Sequence, residues 1–165
     1  MMPRKKEIRA PGELAFLERA LHEGFDAEAW HGPTLRGSLR RVRAEEAVRS
    51  PGADRHTIWG LALHAAYWKH RVRCRITGLE SRFERSPANF PTVPERADEA
   101  AWKEDLALLD RMHGDLLAAV RALDPRTLDD PAPRRSRRDQ ILGAAFHDVY
   151  HAGQIRLLRR MFESG

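Results

Sequence analysis

The chain has 165 residues, enough to bury a core without staples and short enough for one domain with an arm. Hydrophobic residues make up 42% and charged residues 32%, which excludes wholesale disorder. The formal net charge is +5, from 29 basic against 24 acidic residues, and Lys5, Lys6, Lys69 and Lys103 are the only lysines among the former. Such a balance raises nucleic acid as a partner. The arginines, however, are spread among acids through every helical segment rather than gathered in one stripe, so nucleic acid is the lesser expectation. No apolar run approaches the roughly 18 residues of a membrane span, and Met1 to Lys6 carries charge with no apolar run behind it, unlike a signal peptide. The single cysteine, Cys74, cannot form an internal disulfide, and a reducing, cytoplasmic setting is expected.

Residues 1–12 read as a basic N-terminal arm closed by Pro11-Gly12, ahead of one domain over 13–165. From Glu13, the residues Leu14, Leu17, Leu21 and Phe25 recur at spacings of three and four, predicting an amphipathic helix. Trp30 to Thr34 is a break, and Pro33-Thr34 opens a helical stretch through Leu35, Leu39 and Val42. After a loop over residues 50–54, Ile58, Trp59, Leu61, Ala65, Trp68, Val72 and Ile76 predict a long helix from His56 to about Thr77, with Gly78 as its stop. Residues 79–97 hold Pro87, Pro91 and Pro94 with little periodicity, a connection long enough to cross between bundle ends. Asp98 to Leu123 is a third long helix, ended by Asp124-Pro125. Ser136 stands three residues before Asp139 as a cap for the last, from about Arg137 to Met161. No alternating run or hairpin dipeptide predicts a strand. The expected fold is therefore all-α, a four-helix bundle with a long crossover between its second and third long helices.

Eight histidines occur, and His147 and His151 stand four positions apart on one helix, so both imidazoles share a face and can reach one metal. Composition alone would produce about 0.3 such pairs, so the spacing is weak evidence by itself. Their face adds weight. It carries Gly143, Ala144 and Leu158, and imidazoles buried there need hydrogen bonds or a metal. His64 lies at the middle of the second long helix on a similar face beside Gly60, Leu61 and Trp68. Facing helices that each present imidazole at mid-length are how bundles assemble metal sites. Asp148, Tyr150 and Gln154 are candidates to orient the imidazoles, and His31 and His56 are candidates for the bundle mouth. Cys74 is too far along its helix to join His64. Asp148 holds the place of the glutamate in a zinc-peptidase motif with a shorter reach, which argues against peptidase chemistry. No nucleophile motif or phosphate loop is present, so any chemistry must come from the metal.

The segment from His56 to Lys69, HTIWGLALHAAYWK, resembles the second-helix motif of the DinB-like proteins, and His147 to Ile155, HDVYHAGQI, resembles their fourth-helix motif. Trp30-His31-Gly32 and Ala101-Trp102 resemble features of one branch. This resemblance implies up-down-down-up helix order and a divalent metal, zinc or nickel, held by His64, His147 and His151. Three neutral imidazoles leave a coordination position open, as in catalytic zinc sites. The resemblance further implies a metal-dependent transferase or hydrolase acting on a small molecule or low-molecular-weight thiol, and a homodimer. A metal-stabilised dimer without catalysis and a basic DNA-binding module are the alternatives.

Overall fold

Helix α1 (Gly12–Phe25) buries Leu17, Leu21 and Phe25 along the predicted stripe. Two short helices follow, α2 (Leu35–Ser38) and α3 (Ala44–Val48), and then the long α4 (Ile58–Thr77), α5 (Glu99–Arg121) and α6 (Arg137–Glu163). The structure, a computed structural model, describes residues 12–86 and 88–163. The arm expected over residues 1–12 lies outside the described residues apart from Gly12, which opens α1.

The helix ends follow side-chain chemistry. Thr57 accepts the Gly60 amide at 3.0 Å to start α4, and Gly78, at φ 72°, ends it in the left-handed region that glycine adopts without cost. Asp98 accepts the Ala101 amide at 2.9 Å to start α5, and Ser136 accepts the Asp139 amide at 3.1 Å at the head of α6.

Contacts between ends set the helix directions. Trp59 packs on Trp102 near the starts of α4 and α5, with ring centroids 5.0 Å apart, while Val72 and Ile76 share a cluster with Leu117 and Val120 near their ends, so the two helices run parallel. Arg138 pairs with Glu13 near the starts of α6 and α1, and Gly24 lies against Ala145. A Cβ at Gly24 would stand 2.7 Å from the Ala145 carbonyl oxygen, so this approach of α1 to α6 requires glycine. At the same end as the starts of α6 and α1, Arg121 near the end of α5 pairs with Glu18 of α1, and Arg137 at the head of α6 donates to the Ile76 carbonyl near the end of α4, 2.8 Å away. The order is up-down-down-up, as expected, with one apolar cluster around Trp59 and Trp102 and a second around Val72, Leu117 and Ile141.

Two expectations need correction. The helical stretch through Val42 stops at Ser38, because Arg41 turns to φ 64° and Ser38 donates its hydroxyl to the Thr34 carbonyl at 2.9 Å. The turn returns Val42 to the core, where its carbonyl accepts Trp102 Nε1 at 2.9 Å, and α3 follows unannounced by any periodicity. The absence of strands also fails. β1 (Pro131–Ala132) and β2 (Arg135–Ser136) pair antiparallel, each too short to show alternation.

The crossover, residues 78–98, is held down rather than loose. Phe83 is buried, Arg85 donates to Asp105 at 2.8 Å, and Trp68 Nε1 donates to Asn89 Oδ1 at 2.7 Å. Asp105 also accepts Trp59 Nε1 at 2.8 Å, so one buried carboxylate ties the crossover to α4 and α5.

His70 and His113 are buried core histidines. His70 donates Nε2–H to the Ser81 carbonyl at 2.9 Å, and burial lowers its pKa. Burial, with the Lys69 charge, pushes His113 down to about 2. Unfolding returns both to a pKa of about 6.5, so below that pH the unfolded chain takes up protons that the folded chain refuses. Stability is full above about pH 6.5 and falls below it, by about 1.4 kcal/mol per pH unit for each histidine that stays neutral. Urea denaturation of metal-free protein is expected to give a lower midpoint at pH 5 than at pH 7.5; an unchanged or higher midpoint at pH 5 would contradict this.

Candidate metal centre

His64 projects from the middle of α4, and His147 and His151 lie one turn apart on the antiparallel α6. Their Nε2 atoms converge. His147 Nε2 stands 3.0 Å from His64 Nε2 and 3.0 Å from His151 Nε2. His64 is 6% exposed, His151 4%, and His147 half-buried.

The outward nitrogens decide what the inward ones carry. His64 Nδ1 donates to the Asn89 carbonyl at 2.5 Å, and His151 Nδ1 donates to Gln154 Oε1 at 2.6 Å. A neutral imidazole carries one hydrogen, so both rings turn a lone pair inward at Nε2. All three are held neutral. Burial lowers the pKa of His64, pushes His147 to about 3 and His151 to about 4, and the neighbouring imidazoles add to the shift at His147. Nitrogens bound to one tetrahedral zinc at about 2.0–2.1 Å stand roughly 3.3–3.4 Å apart, so this donor set suits a divalent ion with small adjustment. The group could hold a metal ion.

Aromatic rings seal the site from the crossover side. Phe90 stacks on His64 with centroids 4.0 Å apart, and His56 stacks on the far face of Phe90 at 3.7 Å. His56 is thus at the site's edge, one ring removed from His64. His31 is not: it lines an apolar groove between α1 and α6 with Phe16, Trp30 and Phe146. On the open side, half-buried His147 forms part of the wall of a cleft of about 330 Å³.

The model of the DinB superfamily matches residues 28–155, well over half of the chain. The chain belongs to the DinB superfamily. No curated protein and no solved structure matches it. For this DinB-superfamily chain the matched span contains all three histidines together with Asn89, Phe90 and Gln154.

Of the orienting residues expected from sequence, Gln154 takes that place, and Tyr150 supports it by accepting Gln154 Nε2 at 3.3 Å. Asp148 does not. It points roughly a quarter turn away from His147 and pairs with Lys69, both side chains being fully buried. Burial raises the Asp148 pKa against the opposing pull of Lys69, and its Oδ1 has no hydrogen-bond partner. Sequence reasoning missed Lys69, although positions 65, 69, 72 and 76 fall on one helical stripe whose other members are apolar. It also missed the Asn89 carbonyl and the stacking of Phe90, for which no periodic signal exists in an irregular connection. Cys74 stands 3.7 Å from His70, away from the three histidines.

A second group, His22, Asp26 and His113, also brings possible ligand atoms within 4.8 Å. Its hydrogens are arranged against coordination. Lys69 Nζ donates to His113 Nδ1 at 3.3 Å, which leaves the ring hydrogen on Nε2 and gives His113 no free lone pair.

Asp148→Ala strands the Lys69 ammonium in the core and is expected to cost about 3–5 kcal/mol, whereas Lys69→Met with Asp148→Leu recovers most of it. Chemical denaturation of metal-free protein measures both; a loss under about 1 kcal/mol for the single variant would contradict the pairing.

Proposed function

We propose that this DinB-superfamily protein is a metal-dependent enzyme of small-molecule chemistry, a thiol-dependent S-transferase or hydrolase, with zinc or nickel held by His64, His147 and His151. The observation that carries this reading is the convergence of three Nε2 atoms, two of them fixed as acceptors from outside by Asn89 and Gln154. Held by these three imidazoles, a divalent ion would lower the pKa of a water or thiol in its open position and so supply a nucleophile near neutral pH. Asn89 and Gln154 hold the lone pairs on target, Phe90 and Trp68 keep bulk water from one side, and His147 borders the cleft through which a substrate enters.

Many of the arginines that raised nucleic acid as a partner are neutralised. Arg71 pairs with Glu80, Arg137 with Asp130, Arg138 with Glu13 and Asp129, and Arg159 with Glu46. That supports the small-molecule reading over the DNA-binding one. No helix among the described residues is long and apolar enough to cross a membrane; we assign the protein to the cytoplasm on the lone free cysteine, Cys74, which suits reducing conditions. We assign the exposed Phe16, Trp30 and Phe146 of the α1/α6 groove to the contact of a homodimer.

Elemental analysis of untagged protein beside a His147→Ala variant tests the reading. One divalent ion per chain in the native protein and none in the variant is expected; equal retention in both would overturn it. Sedimentation of the same native sample is expected to give twice the chain mass, and a single-chain mass would remove the homodimer.

A further inference from the structure

Three arginines, Arg75, Arg134 and Arg135, line the cleft that has His147 in its wall. None of them forms an ion pair with a described residue, in contrast to the paired arginines elsewhere. Arg75 is half-buried and held in position, its guanidinium 5.2 Å from the centre of the Trp68 ring and its Nη1 donating to Gln140 Oε1 at 3.3 Å. Arg134 and Arg135 are exposed and lie at the tip of the β1–β2 hairpin, which sets them over the head of α6. Asp139 is the acid in this wall, so three guanidiniums face one carboxylate, while Val72, Gly143 and Ala144 supply an apolar floor.

We propose that this cleft selects small substrates carrying an anionic group, a carboxylate or phosphate, and seats that group on Arg75 and the hairpin arginines while the reacting end of the molecule lies toward His147. The physical basis is threefold. A planar guanidinium offers paired donors matched to these oxyanions, and such charge-assisted bonds are roughly twice as strong as neutral ones. Arg75 is already ordered by Trp68 and Gln140, so little side-chain freedom is lost on binding. The cleft's volume of about 330 Å³ is that of a site for a small molecule, and its floor accepts an apolar body behind the acid. The small hairpin that sequence patterning could not announce thus gains a use: it carries two of the three cationic groups.

The inference rests on the metal-dependent reading for its orientation, and the test separates the two. Full-length protein, metal-free and cobalt-loaded, is titrated calorimetrically with 3-mercaptopropionate and with its neutral counterpart 3-mercaptopropan-1-ol, in the wild type and in an Arg75→Gln/Arg135→Gln variant. Far-ultraviolet circular dichroism and the cobalt absorption without thiol check that the variant is folded and loads metal like the wild type. The wild type is expected to bind the acid at least about tenfold more tightly than the alcohol, and the variant to bring that ratio near one. Inorganic phosphate is expected to compete with the acid in the wild type. A ratio unchanged by the variant, or no preference for the acid in the wild type, would overturn the proposal. Absence of cobalt absorption in the wild type, with the acid preference intact in metal-free protein, would overturn the metal reading and leave the anion cleft standing.

Discussion

Three imidazole Nε2 atoms meet at one point with the lone pairs of His64 and His151 turned inward, an arrangement repulsive between those two rings that an apolar core would not gather unless the surrounding structure held it there. The restraint is visible on both sides. The crossover brings the Asn89 carbonyl to His64, and one turn further along α6 Gln154 fixes His151. The crossover itself is tied by Trp68 to Asn89 and by Arg85 to Asp105, so the length of that irregular segment serves a positioning purpose. A cation between the nitrogens would convert this repulsion into attraction, and preorganisation of the ring orientations lowers the cost of binding it.

The same stretch of α6 serves two different interiors. His147 and His151 face α4 and the open cleft, whereas Asp148, a quarter turn round, reaches Lys69 in a closed pocket that also holds Phe25 and His113. The Lys69 ammonium lies 4.6 Å from the centre of the Phe25 ring and donates to His113, so its charge is met by an acid, a ring face and an imidazole. A buried ion pair of this kind adds little net stability but penalises any register of α4 against α6 that separates its members. Holding that register also holds His64 opposite His147. The three histidines and the ion pair thus depend on one packing arrangement, in which Gly24 lets α1 close on the back of α6.

Much of this could be read from the residues in order. The four long helices follow from apolar spacing, and the cap at Ser136 and the stop at Gly78 from residue chemistry, because helix starts and stops are local. The histidine triad was legible because the i, i+4 spacing and the small neighbours of His147 and His151 are local too. What escaped is non-local. Asn89 acts through its backbone carbonyl, which no side-chain pattern encodes, and Lys69 is buried only because Asp148 comes to meet it from another helix. Asp148 is adjacent to His147 in sequence, but a single step along a helix turns the side chain by about 100° and carries it to Lys69 instead. The break at Arg41 and the two-residue strands are set by tertiary contacts of Val42 and of the hairpin, on a scale shorter than any periodicity.

X-ray absorption at the metal K edge of protein loaded with one equivalent of zinc tests the central claim most directly, since it counts ligand types without reference to activity. Three imidazole nitrogens with an additional oxygen, falling to fewer imidazoles in a Gln154→Leu/His151→Ala variant, is the result this account predicts. A shell lacking imidazole scattering, or one with sulfur from Cys74, would contradict it.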